Sequence, residues 1–243
     1  MIDHDAIGSL RNAYTESFRT DGRIRIRNFL KRDAAEALRQ TVDSLDWRLV
    51  LNEGDRHFDI QPNQLAHMTG SQRRTLRLAA IERAKSQFQY FFENYPAHDI
   101  YHGKGRDALP AEIASVYEAL NSEETLDLLR AITQMPVDFC DAQITRFRNG
   151  ALLNEHDDDV PGKNRLFAYT LSLADPWKEN WGGTLSFLDA RGDVIERFVP
   201  SFNTLAIFAV PSLHRVDPVN DRARGERISV TGWFRSGQPE ELA

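Results

Sequence analysis

The chain has a single cysteine, Cys140, which excludes an internal disulfide framework and a cysteine-based zinc ribbon and makes a reducing cytoplasm the expected setting. It has no run of about 18 apolar residues, so nothing in it reads as a membrane span. Its first residues, MIDHDAIGSLRNAY, lack the basic flank and apolar run of a secretory signal. Positive charge is in deficit: 36 acidic against 30 basic side chains leaves a net charge of −6. That balance argues against a general nucleic-acid or anionic-membrane binder. Low-complexity tracts, internal repeats and a Gly/Ser/Pro-rich linker are also missing. What remains is ordinary globular composition, 41% hydrophobic and 27% charged over 243 residues, read as one domain.

Two patterns divide that domain. Residues 1–135 read as a mainly helical support region. Arg23 to Arg27 alternate like a half-exposed strand. Asp33, with Glu36 three residues on, reads as a capping box opening a helix to about Leu45. A short strand is expected at Trp47–Leu51, and a polar loop from Asn52 to Gly70. From Ser71 a long helix towards Tyr95 is expected, because Leu76, Ala80, Ala84, Phe88 and Phe92 recur at i+4. Two more helices start near Pro110 and Asn121.

Beyond Pro136 the pattern becomes eight short apolar or alternating runs separated by turn residues. Such spacing suggests a β-sandwich or barrel on which the helices pack.

Within the strand-rich part, His156 and Asp158 lie two apart at the end of a run, where strand alternation would place both on one face. His214 can add a third ligand from a neighbouring strand. Two imidazoles and a carboxylate leave open positions on a metal, the set used by non-haem Fe(II) oxygenases. Thirteen residues after His214, Arg227 opens the last run, with Ser229 and Thr231 on the same face. A guanidinium there can hold a carboxylate by a bidentate salt bridge, with Ser229 as a further donor, and Arg222 and Arg224 are its rivals. His57 and Asp59 repeat the spacing inside the expected polar loop and read as incidental or as part of a substrate cover. His98 and His102 read as surface histidines, Cys140 as a small buried hydrophobe, and Trp233 and Phe234 as core packing. Trp177 and Trp181 read as anchors of a polar turn or as part of the site's mouth. The arginines of the 71–95 helix read as a solvated face.

Taken in order, TRFRNGALLNEHDDD, RLFAYTLSLADPWKENWGGTLSFLD, LAIFAVPSLHRVDPV and RISVTGWF resemble the Fe(II)- and 2-oxoglutarate-dependent dioxygenases, in particular their prolyl 4-hydroxylase-like branch. The likeness covers about residues 137–236. The helical first half is similar in layout to yeast members of that branch. The resemblance implies a mainly β, α+β fold: a double-stranded β-helix (jelly-roll) core over 136–236, with helices packed on one sheet. It implies iron on His156, Asp158 and His214, and Arg227 on the distal carboxylate of 2-oxoglutarate. It further implies release of succinate and CO2, hydroxylation of a C–H bond, and ascorbate as reductant.

The sequence departs from the branch where a tyrosine is common near Phe147 and near Ser172, so Thr170 or Ser172 is expected to reach the co-substrate through water. The expected substrate is a prolyl residue of a peptide or protein. A free amino acid or small metabolite is the alternative, and a catalytically silent jelly-roll binding module or a zinc hydrolase the reading from another class. Only Glu155 is at hand as a hydrolytic base, and alternation points it away. No nucleic acid or membrane partner is expected, and a homodimer is a candidate assembly.

Overall fold

The computed structural model describes residues 1–174 and 176–237. Helices α1 (His4–Ser9) and α2 (Arg11–Asp21) lead into strand β1 (Arg23–Arg27) and helix α3 (Arg32–Thr41). Next come β2 (Arg48–Glu53), β3 (Arg56–Ile60), α4 (Pro62–His67), α5 (Gly70–Arg83), β4 (Tyr90–Tyr95) and α6 (Ala97–His102). Helices α7 (Ala111–Leu120) and α8 (Glu123–Thr133) complete the first half. The second half is β5 (Phe139–Cys140), β6 (Gln143–Phe147), β7 (Leu152–His156), β8 (Arg165–Ser172) and β9 (Leu185–Leu188). It ends with β10 (Val194–Phe198), β11 (Thr204–Ala209), β12 (His214–Val216) and β13 (Arg227–Arg235).

All eight expected strands form, and the double-stranded β-helix with flanking helices is the architecture observed. Pairing is antiparallel in the order β1-β11-β8-β13-β6-β4-β7-β12-β9-β10, with β2 and β3 added beside β4 and β5 beside β13. The sheet curls so that its two halves face each other. Ala168 of β8 and Ala206 and Phe208 of β11 pack in one cluster with Leu185 and Phe187 of β9, Phe198 of β10 and Val216 of β12. The alternate residues of the same strands, Tyr169, Leu171, Leu205 and Ile207, point outward into a second core with Ile113, Leu126 and Leu129 of α7 and α8. These strands are buried on both faces, which is why their sequence reads as continuous apolar runs.

The first half departs from expectation in three places. The third helix starts at Arg32 with Lys31 as its cap residue, and no side chain caps it. Asp33 accepts only from its neighbour Ala34, and Glu36 is drawn to Arg32 at 2.7 Å, so the capping box does not form. The expected loop from Asn52 to Gly70 is a β2–β3 hairpin turning at Gly54, followed by α4. The long helix stops at Arg83, and residues 90–95 are strand instead. Consecutive Phe91 and Phe92 bury against different clusters, on opposite faces of β4, which only a period of two allows. Cys140 is fully buried, as expected.

Candidate active site

The site is set by strand ends. His156 closes β7 and His214 opens β12, and the two are direct cross-strand partners with ring centroids 4.1 Å apart. Asp158 reaches them differently from the expected alternation. It lies beyond the end of β7 with φ 65°, in the left-handed region that asparagine and aspartate tolerate best. That turn brings its carboxylate oxygens 3.5 Å from His156 Nε2 and 3.4 Å from His214 Nε2. Arg165 Nη1 holds the turn by donating to the Asp158 carbonyl at 3.0 Å.

Each imidazole donates Nδ1–H to a backbone carbonyl two residues earlier, Asn154 for His156 and Ser212 for His214, both at 2.7 Å. This fixes the tautomer that leaves Nε2 as a lone pair facing the shared space. Burial first, then the neighbouring His156, push the His214 pKa down to about 4, so this imidazole is neutral at physiological pH. The three ligand atoms lie within 4.8 Å of one another.

The triad opens into a cavity of about 480 Å³ that also contains Arg227, Thr170 and Thr231. Arg227 is 4% exposed and has no carboxylate partner among the described residues, and burial alone lowers its pKa to about 10. Its Nε and the hydroxyls of Thr170, Ser229 and Thr231 are buried without a hydrogen-bond partner. Phe147, standing where a hydrogen-bonding tyrosine is common, offers the guanidinium a ring face at 5.0 Å instead. Gly183 keeps Arg227 in place: its φ is +65°, and a Cβ there would meet Arg227 Cδ at 3.2 Å.

Other expected residues fall elsewhere. Ser172 lines a separate space of about 20 Å³ beside Arg227 and accepts from Ala174 N, so of the two proposed hydroxyls only Thr170 faces the main cavity. Ser229 is wholly buried between its β6 and β8 partners Thr145 and Ser172. Arg222 and Arg224 are exposed, and Arg224 donates to the Asp221 carbonyl. Glu155 pairs with Arg215 at 2.8 Å, away from the triad. His57 lines the cavity wall through Tyr90, while Asp59 binds Arg48. His98 and His102 are not simple surface groups: both bind the buried Tyr117 hydroxyl at 2.9 Å. Trp177 anchors its turn by donating to the Gly182 carbonyl.

The sequence reading missed that two residues line this cavity. Trp233 packs against the inner cluster, as expected, but also lines the cavity with its indole N–H unpartnered. Arg165 stacks on that indole at 3.5 Å and leaves its own Nε unpartnered. The alternation that groups Arg227, Ser229 and Thr231 reaches Trp233 in one further step, so the signal was present. Phe234, by contrast, is fully buried in the outer core as expected.

Residues 142–235 match the 2OG-Fe(II) oxygenase superfamily. That stretch, which carries the triad and Arg227, is similar to the superfamily. It is 30% identical over 95 residues to a PKHD-type hydroxylase of Maricaulis maris, a match covering 38% of this chain and 41% of that protein. It is 22% identical over 191 residues to the prolyl 3-hydroxylase sudestada1 of Drosophila melanogaster, covering 74% and 35% respectively. The matches thus span less than half the length of both relatives. A solved prolyl-4-hydroxylase of Pseudomonas putida shares the fold at a TM-score of 0.59 and 17% identity, covering 94% of this chain and all of that one.

The residues present fit the groups used by the 2OG-Fe(II) oxygenases. Two imidazoles and one carboxylate converge, with each imidazole's Nδ1–H already tied to a backbone carbonyl, which suits a divalent iron. A buried guanidinium without a counter-ion, among unpartnered hydroxyls in the same cavity, suits a dicarboxylate.

Proposed function

We propose that this chain is an Fe(II)- and 2-oxoglutarate-dependent dioxygenase that hydroxylates a prolyl residue of a peptide or protein, releasing succinate and CO2, with ascorbate as supporting reductant. The observation that carries the reading is Arg227, an unpaired buried cation sharing one cavity with the His156–Asp158–His214 triad. When bound, iron and 2-oxoglutarate supply the oxidising chemistry with dioxygen. The chain holds and orients these groups. His156, Asp158 and His214 present one face of ligands. Arg227 would hold the far carboxylate of the co-substrate and so orient it towards the triad. Phe147, Ala168, Phe208 and Leu185 form apolar walls that keep water from the reacting centre.

A peptide is favoured over a free amino acid by Arg165 and Trp233. Their unpartnered Nε and Nε1 donors point to a substrate that brings carbonyl acceptors, which a polypeptide carries at every residue. His57, Phe88 and Tyr90 give the cavity an aromatic rim suited to a proline ring. In this reading the β2–β3 hairpin, which places Val50 and His57 on the cavity wall, is the substrate cover.

The test is succinate release and a one-oxygen mass gain, measured in parallel on a proline-containing peptide library and on a metabolite extract. Oxygen gain on prolyl peptides is the expected result. Gain only in the metabolite pool would move the substrate to a free small molecule, and succinate release by His156→Ala or Asp158→Ala would overturn the reading.

A further inference from the structure

A second cavity, of about 430 Å³, lies beneath α5, outside the metal site, and shares only Phe92 with it. Its floor is apolar: Leu49, Leu65, Phe91 and Ala151 are all buried there. Its walls are guanidinium. Arg146 and Arg148 are neutralised by Glu93 and Glu226, with closest contacts of 2.6 Å. Arg73, Arg74 and Arg77 have no carboxylate partner among the described residues. Arg73 donates to the Leu65 carbonyl, and Arg77 donates to Asn149 Oδ1 at 3.0 Å. Arg74 is exposed and makes no hydrogen bond or ion pair within the described residues.

These three positions share one face of α5, within about 100° of arc. The first turn of that helix holds no acidic residue. Like charges one turn apart, near the positive end of a helix, oppose folding. In a chain of net charge −6, three uncompensated cations above an apolar floor are a local inversion of the field.

We propose that this cleft is a binding site for an acidic peptide segment in which two carboxylate side chains flank an apolar one. Arg73 and Arg77, four residues apart on a helix, are separated by about 6 Å along its axis. Residues i and i+2 of an extended peptide are about 6.7 Å apart. Successive same-face carboxylates therefore meet successive arginines. The residue between them, or the next apolar one, covers Leu65 and Phe91. A compact inorganic anion matches this less well, because the guanidiniums are spread along the helix rather than converging on one point. The site is independent of the metal-site reading.

The test is fluorescence anisotropy of the full chain with a labelled peptide containing Glu-Leu-Glu-Leu-Glu, beside its Gln-Leu-Gln-Leu-Gln counterpart. The acidic peptide is expected to bind and the neutral one to bind at least about tenfold more weakly. Arg74→Glu, at an exposed position with no partner to lose, is expected to weaken the acidic peptide by about tenfold or more. Arg77→Gln is expected to weaken it by a smaller factor. His214→Ala is expected to leave the binding unchanged, which separates this site from the catalytic one. Three results would overturn the proposal: no binding to the wild type, equal binding of both peptides, or equal binding by wild type and Arg74→Glu with both proteins folded. Complete displacement by equimolar inorganic phosphate or by a single-stranded oligonucleotide would also overturn it, in favour of an anion or nucleic-acid site.

Discussion

Arg227 carries opposite consequences for stability and for binding. A buried guanidinium without a counter-ion among the described residues costs desolvation that the Phe147 ring face offsets only in part. Arg227→Met is therefore expected to stabilise the apo-protein by roughly 1–2 kcal/mol in urea denaturation while strongly weakening 2-oxoglutarate binding. A loss of stability would mean that the arginine has an internal partner and is not waiting for a ligand. His214 gives a second residue-level prediction. Its folded pKa of about 4 lies below the ordinary 6.5, so between these values the unfolded chain takes up the proton first. The contribution is complete above pH 6.5 and is lost as pH falls towards 4. Nitrogen NMR of the histidines should show the His214 ring neutral at pH 6, and a midpoint near 6.5 would contradict its burial.

At the scale of elements, β8, β11 and β13 do two jobs, each with one face. Their outward residues fix the helices, and their inward residues build the site. Phe234 is the clearest outward case: it is fully buried, with ring centroids 4.9 Å from Phe167 and 5.0 Å from Tyr169. Phe234→Ala is expected to cost about 3–5 kcal/mol of stability. The neighbouring Trp233→Phe should cost far less and act on substrate binding instead. The strands were legible because apolar runs between turn residues have few other solutions. The triad was legible as residues but not as geometry, since Asp158 arrives by a left-handed turn that no periodicity announces. The helix-to-strand change near residue 84 was hidden because aromatics at i+4 satisfy a helix template equally well. What decides β4 is pairing with β2, β6 and β7, which are distant in sequence. The same cause concealed the arginine cleft, whose far wall comes from β6 and the turn after it.

For the molecule as a whole, one curled sheet separates three environments. The helices cover its outer face, the cavity that holds the triad occupies its fold, and the arginine cleft lies under α5 beside the added hairpin. The central claim is that the triad and Arg227 act on one metal–co-substrate unit. Anaerobic titration of the apo-protein with Fe(II) and then 2-oxoglutarate tests it most directly, through the visible metal-to-ligand charge-transfer absorption of the chelated co-substrate. The absorption is expected only when both are present, absent in His214→Ala, and strongly weakened in Arg227→Met. Stoichiometric iron binding with no such absorption on adding 2-oxoglutarate would contradict the account.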